Sequence, residues 1–135
     1  MVSREDLESY LIRMDLDYEE VDDGMYLIRG EKGLPFVVHH ADALLLIRMK
    51  LMDMPAENES SAEFYRTLLE LNATEVVHGA YGIEDGDLII SDTLELETLD
   101  FLELQASMES IELAAASHMD KIRTLAGVGV EGSEA

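Results

Sequence analysis

The sequence predicts an α+β fold, one antiparallel sheet with helices packed on it, in the order α-β-β-β-α-β-β-α. Apolar residues recur at helical spacing in three separated segments. Between these lie short apolar or period-two runs bounded by turn residues. The connections between runs are too short for parallel crossovers, so neighbouring strands should be antiparallel.

The first helix is capped by Ser3, with Asp6 three residues on and Glu5 in the first turn. Leu7, Leu11 and Met14 form its apolar stripe. Leu16 to Val21 reads as a short strand, Asp22-Asp23-Gly24 as a hairpin turn, and Met25 to Arg29 as the next strand. Gly30-Glu31-Lys32-Gly33 is a turn, and Pro35 opens the strand Phe36 to His40. Ala41-Asp42 turns the chain into Leu44–Met52, where Ile47, Met49 and Leu51 alternate with Arg48 and Lys50. These runs give three or four strands before the second helix.

Ser60 and Glu63 have the spacing of a capping box for that helix, which carries Phe64, Leu68 and Leu71 and ends at Asn72. Thr74 to Ile83 and Asp87 to Leu96 read as two strands joined at Glu84-Asp85-Gly86. Thr98 is the expected N-cap of the last helix, with Asp100 in its first turn. Its seam of Leu104, Met108, Ile111, Ala115, His118, Ile122 and Leu125 is the longest periodic signal in the chain. Lys121 and Arg123 oppose the negative end of the helix dipole, and Gly127 stops the helix. The domain reading is a single α+β domain over residues 1–126, followed by a flexible C-terminal tail over 127–135.

Composition narrows the function. The chain has 135 residues, 47% of them apolar, which is enough for one buried core. It carries 30 acidic and 9 basic residues, a formal charge of −21. No Lys or Arg occurs between Leu68 and Asp120. Clustered cations for phosphate contacts are therefore missing, and nucleic acid is not the expected partner. The absence of cysteine excludes disulfides, thiol nucleophiles and thiolate metal sites. No apolar run reaches the ~20 residues of a membrane span. The opening Met1-Val2-Ser3-Arg4-Glu5-Asp6 lacks the apolar core of a secretory signal, so a cytoplasmic protein is expected.

Catalytic and metal signatures fail on inspection. His39 and His40 are adjacent on a strand and point to opposite faces, so they cannot share an ion. His78 reads as a partly buried strand residue and His118 as a satisfied seam histidine. Asp15-Leu16-Asp17-Tyr18-Glu19 starts like a calcium loop, but Glu20 stands where Gly is needed and Tyr26 where a bidentate Glu is needed. Gly79-Ala80-Tyr81-Gly82-Ile83 lacks the Lys and Ser/Thr of a phosphate loop. No cofactor, metal or catalytic residue is assigned.

The strand from Leu44 to Met52 carries the candidate site. With Ile47, Met49 and Leu51 facing the core, Leu44, Leu46, Arg48, Lys50 and Met52 share the other face. Leu44-Leu45-Leu46 is apolar on both faces, which implies cover on both faces there. A bare solvent face should not group large apolar side chains, so another element, a second subunit or a partner segment covers it. Arg48 and Lys50 are expected to orient such a partner. The seam from Leu104 to Leu125 is the other candidate for a two-fold interface. Eight Met residues suit either core filling or an adaptable binding surface.

Three stretches resemble a known family: Leu71-Asn72; Val77-His78-Gly79-Ala80-Tyr81-Gly82; and Leu94 through Ser107, reading LELETLDFLELQAS. With the element order over residues 3–125, they make the chain similar to the type III secretion chaperone-like superfamily. Within it, the chain resembles the YbjN-like, or Tir-chaperone-like, group. The resemblance implies homodimers and protein-binding roles without catalysis, and it offers no residue-level motif to carry over. The expected function is a non-catalytic interaction module, chaperone-like or regulatory, binding a partner polypeptide as a homodimer. The alternative is a small-molecule binder or enzyme with a pocket between helix and sheet.

Overall fold

The computed structural model describes residues 1–30 and 33–127. Nine elements follow in order: α1 (Arg4–Arg13), β1 (Asp17–Asp22), β2 (Met25–Arg29), β3 (Phe36–Ala41), β4 (Leu44–Asp53), α2 (Ser61–Thr74), β5 (Ala80–Glu84), β6 (Asp87–Glu95) and α3 (Phe101–Ala126). The expected α+β class holds. Four strands precede α2, so the first half has one strand more than the shorter of the expected counts. The six strands form one antiparallel sheet in the order β1-β2-β3-β4-β6-β5. The expected turn at 30–33 and tail at 127–135 fall mostly outside the described residues.

α1 begins as its sequence dictates. Ser3 Oγ accepts from Asp6 N–H and Asp6 accepts from Ser3 N–H, each at 3.0 Å. Leu7 and Leu11 are fully buried. Tyr26 Oη donates to Glu8 at 2.9 Å, which fastens β2 to this helix. Tyr10 and Phe101 meet edge-to-face, with the Arg13 guanidinium 3.8 Å from the Phe101 ring centroid, so α1 is joined to the start of α3.

Three boundaries depart from expectation. Ser60 makes no side-chain cap. Asn58 Oδ1 instead accepts from Ser60 N–H at 2.7 Å and Ser61 Oγ from Asn58 N–H at 2.9 Å, so the reciprocal pair sits two residues earlier. Asp100, not Thr98, caps α3, accepting from Glu103 N–H at 2.8 Å. Asn72 does not end α2, which runs on to Thr74. Its amide reaches across to Tyr81, accepting from the N–H at 2.7 Å and donating to the carbonyl at 3.2 Å. One side chain thus imitates a neighbouring strand at the outer edge of β5.

The strand expected from Thr74 begins only at Ala80. Gly79 explains this: its φ is +90°, and a Cβ there would stand 2.5 Å from the Ser91 carbonyl oxygen. The chain between Glu75 and Gly79 is a loop, with His78 exposed and its N–H bonded to Ser110 Oγ at 3.0 Å. Past it, Asp85 (φ 51°) and Gly86 (φ 80°) form the two-residue turn expected between β5 and β6.

The seam of α3 is buried in its own subunit. Leu104, Met108, Ile111, Ala115, His118 and Ile122 join the side chains of β4, β6 and α2, and Leu125 packs at the margin. It is therefore a core seam and not an interface between chains.

Candidate functional site

All three helices lie on one face of the sheet. That face supplies Tyr26, Ile28, Phe36, Val38, Leu45, Ile47, Met49, Leu88 and Ile90 to the core. Among the described residues no helix covers the opposite face. The register sets Leu27 beside Val37, Val37 beside Arg48, and Leu46 between His39 and Thr93. Leu44 is 39% and Val37 36% exposed. Leu46, Met25 and Leu27 are partly buried yet belong to no part of the core cluster. They form an apolar patch over β2, β3 and β4.

Of the five residues expected on this strip, Leu44, Leu46, Arg48 and Lys50 lie there. Met52 does not. A bulge between Lys50 and Met52 sets Met52 opposite Leu88, a core residue, and Met52 packs against the core. The alternation breaks at Leu51, and Asp53 falls opposite Asp87 on the open side.

Both cations are matched inside the chain. Lys50 Nζ sits 2.7 Å from Asp53 and 3.2 Å from Asp87, and these hydrogen bonds hold its pKa above, and that of Asp53 below, the ordinary values. Arg48 Nε lies 3.0 Å from Glu84 Oε1, reaching across the row of β6. That N–H is not aligned on any acceptor, so the contact is one of charge more than a directed hydrogen bond. Ile89 lies in the row between Lys50 and Gly82, and it is 9% exposed though outside the core. The charged end of the face is thus an intrachain cluster over Ile89, and the two cations expected to orient a partner are paired with carboxylates of their own chain.

A second concavity lies on the helical side, where the sequence reading named core residues but no site residue. α3, the α1–β1 connection and the ends of the β2–β3 connection enclose a groove of about 800 Å³. Its floor includes Met14, Leu16, Leu34, Met49, Met108 and Met119. Asp15, Glu109 and Glu112 stand on its rim. Burial first, and the Glu109 charge second, push the Glu112 carboxyl above its ordinary pKa. The signal was present in the sequence: Gln105, Glu109, Glu112, Ala116 and Met119 repeat at 4, 3, 4, 3, one step round the helix from the core seam.

Among the described residues the buried side-chain polar atoms other than Arg48 Nε have partners. Tyr81 Oη lies 2.7 Å from His118 Nδ1 and donates to the Ala114 carbonyl at 3.2 Å, and burial raises its pKa to about 12. His118 Nε2 is 3.6 Å from Glu75. His40 Nε2 meets the Val2 carbonyl at 2.8 Å. Ser107 donates to Asp92 at 2.7 Å. No group of three or more His, Asp or Glu among the described residues could hold a metal ion. No described helix is long and apolar enough to cross a membrane.

Comparison with known proteins agrees with this architecture. The CesT_Tir_1 family model matches residues 2–127. A comparison with curated proteins finds no match. Among solved structures, one match is to the heterodimeric ExoU–SpcU complex of the type III secretion system of Pseudomonas aeruginosa. It has TM-score 0.69 and 14% identity over 89% of this chain and 97% of that chain. YbjN from E. coli matches with TM-score 0.60 and 13% identity over 86% and 93% of the two chains. The Yersinia pestis type III secretion chaperone SycH, solved with a stable fragment of YscM2, matches with TM-score 0.54. That match has 15% identity over 88% and 95%. The family model bears out the resemblance to the type III secretion chaperone-like superfamily, and the solved structures, YbjN among them, bear out the fold class.

Proposed function

Because the chain belongs to the CesT_Tir_1 family, a type III secretion chaperone family, we propose that it is a non-catalytic interaction module that binds a partner polypeptide and works as a homodimer. The observation that carries this reading is the sheet face that the chain's own helices leave uncovered. Leu44, Leu46 and Val37 form its apolar centre, while Arg48 and Lys50 already sit on Glu84, Asp53 and Asp87. Such a face, apolar in the middle and neutralised at one end, suits a second copy meeting it across a two-fold axis. The helical side is then left free for the partner. Two structural neighbours were solved as complexes of a type III secretion protein with another polypeptide, which supports the partner role. Residues 1–126 act as one binding domain in a cytoplasmic protein.

Light scattering tests the dimer. The wild type should give about twice 15.1 kDa at micromolar concentration, and the variant Leu44→Asp, Leu46→Asp should give 15.1 kDa. A wild type of 15.1 kDa throughout, or a doubly changed protein that remains dimeric, overturns the assignment of this face. Pull-down from native lysate at low and high salt tests the partner role.

A second reading, a small-molecule binder, is favoured by one observation. The groove under α3 has the apolar lining and about 800 Å³ volume of a ligand pocket. Retention of a small apolar compound through purification from native lysate would support it over the first.

A further inference from the structure

The groove under α3 has three features that together select an occupant. Its floor contains four methionines, Met14, Met49, Met108 and Met119, whose flexible thioethers repack around different apolar shapes. Its rim is acidic, and none of Asp15, Glu109 and Glu112 forms an ion pair among the described residues. Its length is that of a peptide: the α3 stripe from Gln105 to Met119 spans fourteen residue steps, about 21 Å at 1.5 Å each. That equals roughly six residues of extended chain.

Glu109 and Glu112 stand next to one another at the groove mouth, and Glu112 is partly buried there beside a like charge. An apolar ligand alone would bury them further without relief. A Lys or Arg brought in beside apolar anchors relieves both the repulsion and the desolvation. The net charge of −21 draws such a segment in and turns acidic ones away.

We infer that this groove takes a segment of the partner polypeptide in which large apolar side chains enter the methionine-lined floor and an adjacent Lys or Arg meets Glu109 and Glu112. The inference rests on the polypeptide-binding reading above and adds the chemistry of the segment.

Fluorescence anisotropy with three labelled 15-residue peptides tests it. They share Leu, Phe and Met anchors and differ only in Lys, Ser or Glu flanks. All measurements use the full chain carrying Lys32→Ala, because Lys32 lies between the groove residues Gly30 and Gly33 but outside the described residues. The Lys-flanked peptide should bind at least about tenfold tighter than the Ser-flanked one, and the Glu-flanked one weakest. Adding Glu109→Gln and Glu112→Gln should bring the Lys preference below about threefold while sparing the Ser-flanked peptide. Glu95→Gln with Glu97→Gln removes the same charge away from the groove and should keep the preference. Ala116→Trp, at an exposed lining position, should block every peptide with the helical circular dichroism intact.

Equal loss of preference in the Glu95, Glu97 control would mean bulk attraction and overturn the inference. So would binding that survives Ala116→Trp, or dodecylamine binding as tightly as the Lys-flanked peptide with the same dependence on Glu109 and Glu112. Peptides that bind regardless of flank but are blocked by Ala116→Trp leave polypeptide binding standing and remove only the charge selectivity. A native partner recovered by pull-down while no peptide binds removes this groove and keeps the function. Failure of both assays removes both.

Discussion

The two faces of β4 have been given opposite tasks. On the helical side Leu45, Ile47, Met49 and Leu51 are all at or below 5% exposure, enclosed by residues of every helix and most strands. On the open side Leu44 keeps 39% of its surface, and Arg48 and Lys50 spend their charges on carboxylates of the same chain. Both faces carry large apolar groups, but only one is roofed by the chain itself. Apolar patterning by itself reports that a face wants cover and does not report whose cover it is. The flanking charges differ as well: Arg48 and Lys50 are paired within the chain, whereas Glu109 and Glu112 form no ion pair among the described residues.

Truncation separates the faces most sharply. Ile47→Ala leaves a cavity beneath the helices and should cost about 2–5 kcal/mol in urea unfolding. Leu46→Ala, its neighbour on the open side, should cost less than about 1 kcal/mol when measured at concentrations where the chain is monomeric. Equal losses at the two positions would mean that the open face is packed within the subunit.

Charge removal gives a smaller effect. Arg48→Ala should cost about 0–1 kcal/mol and Lys50→Ala should leave the urea midpoint nearly unchanged, both effects shrinking with added salt, because their ion pairs are more than a third exposed. A loss of several kcal/mol from either would show that the cluster over Ile89 is as integral to the subunit as the core beneath it.

The smallest effect carries the opposite sign and comes from the groove. Burial and Glu109 raise the pKa of Glu112 in the folded state, so folded chains hold that proton more tightly than unfolded ones. Stability therefore falls as pH rises from the ordinary glutamate value through the raised one. Glu112→Gln should raise the Tm by about 1–2 °C at pH 7, and the gain should vanish below about pH 4. A gain that persists into acid would place its origin outside this ionisation.

The periodic elements were legible in the sequence because their signal is local. The stripe of Leu7 and Leu11, the alternation through Ile47 and Met49 and the long seam of α3 each follow from residues a few positions apart. What stayed hidden depends on residues far apart in the chain. Nothing near Thr74 says that Gly79 must pass under the Ser91 carbonyl, or that Asn72 will bond Tyr81 instead of closing its own helix. The bulge that turned Met52 away is likewise set by pairing with β6. The groove could have been found as a second stripe on α3. Its acidic members made it read as solvated surface until the methionines of α1 and β4 came to lie beside it.

The Asn72 amide at the edge of β5 has a consequence for how copies of this chain can grow into larger objects. A sheet with two bare edges can add strands at both and polymerise without end. Here one outward backbone pair of the five-residue β5 is spent on Asn72, and only the one at Ile83, beside the hairpin turn, is left to template another chain. β1 at the other end has no such plug. Strand addition is therefore favoured at one end, and two chains joined β1 to β1 would offer a third only the Ile83 pair at each outer edge. The amide acts as a terminator of strand pairing at that edge.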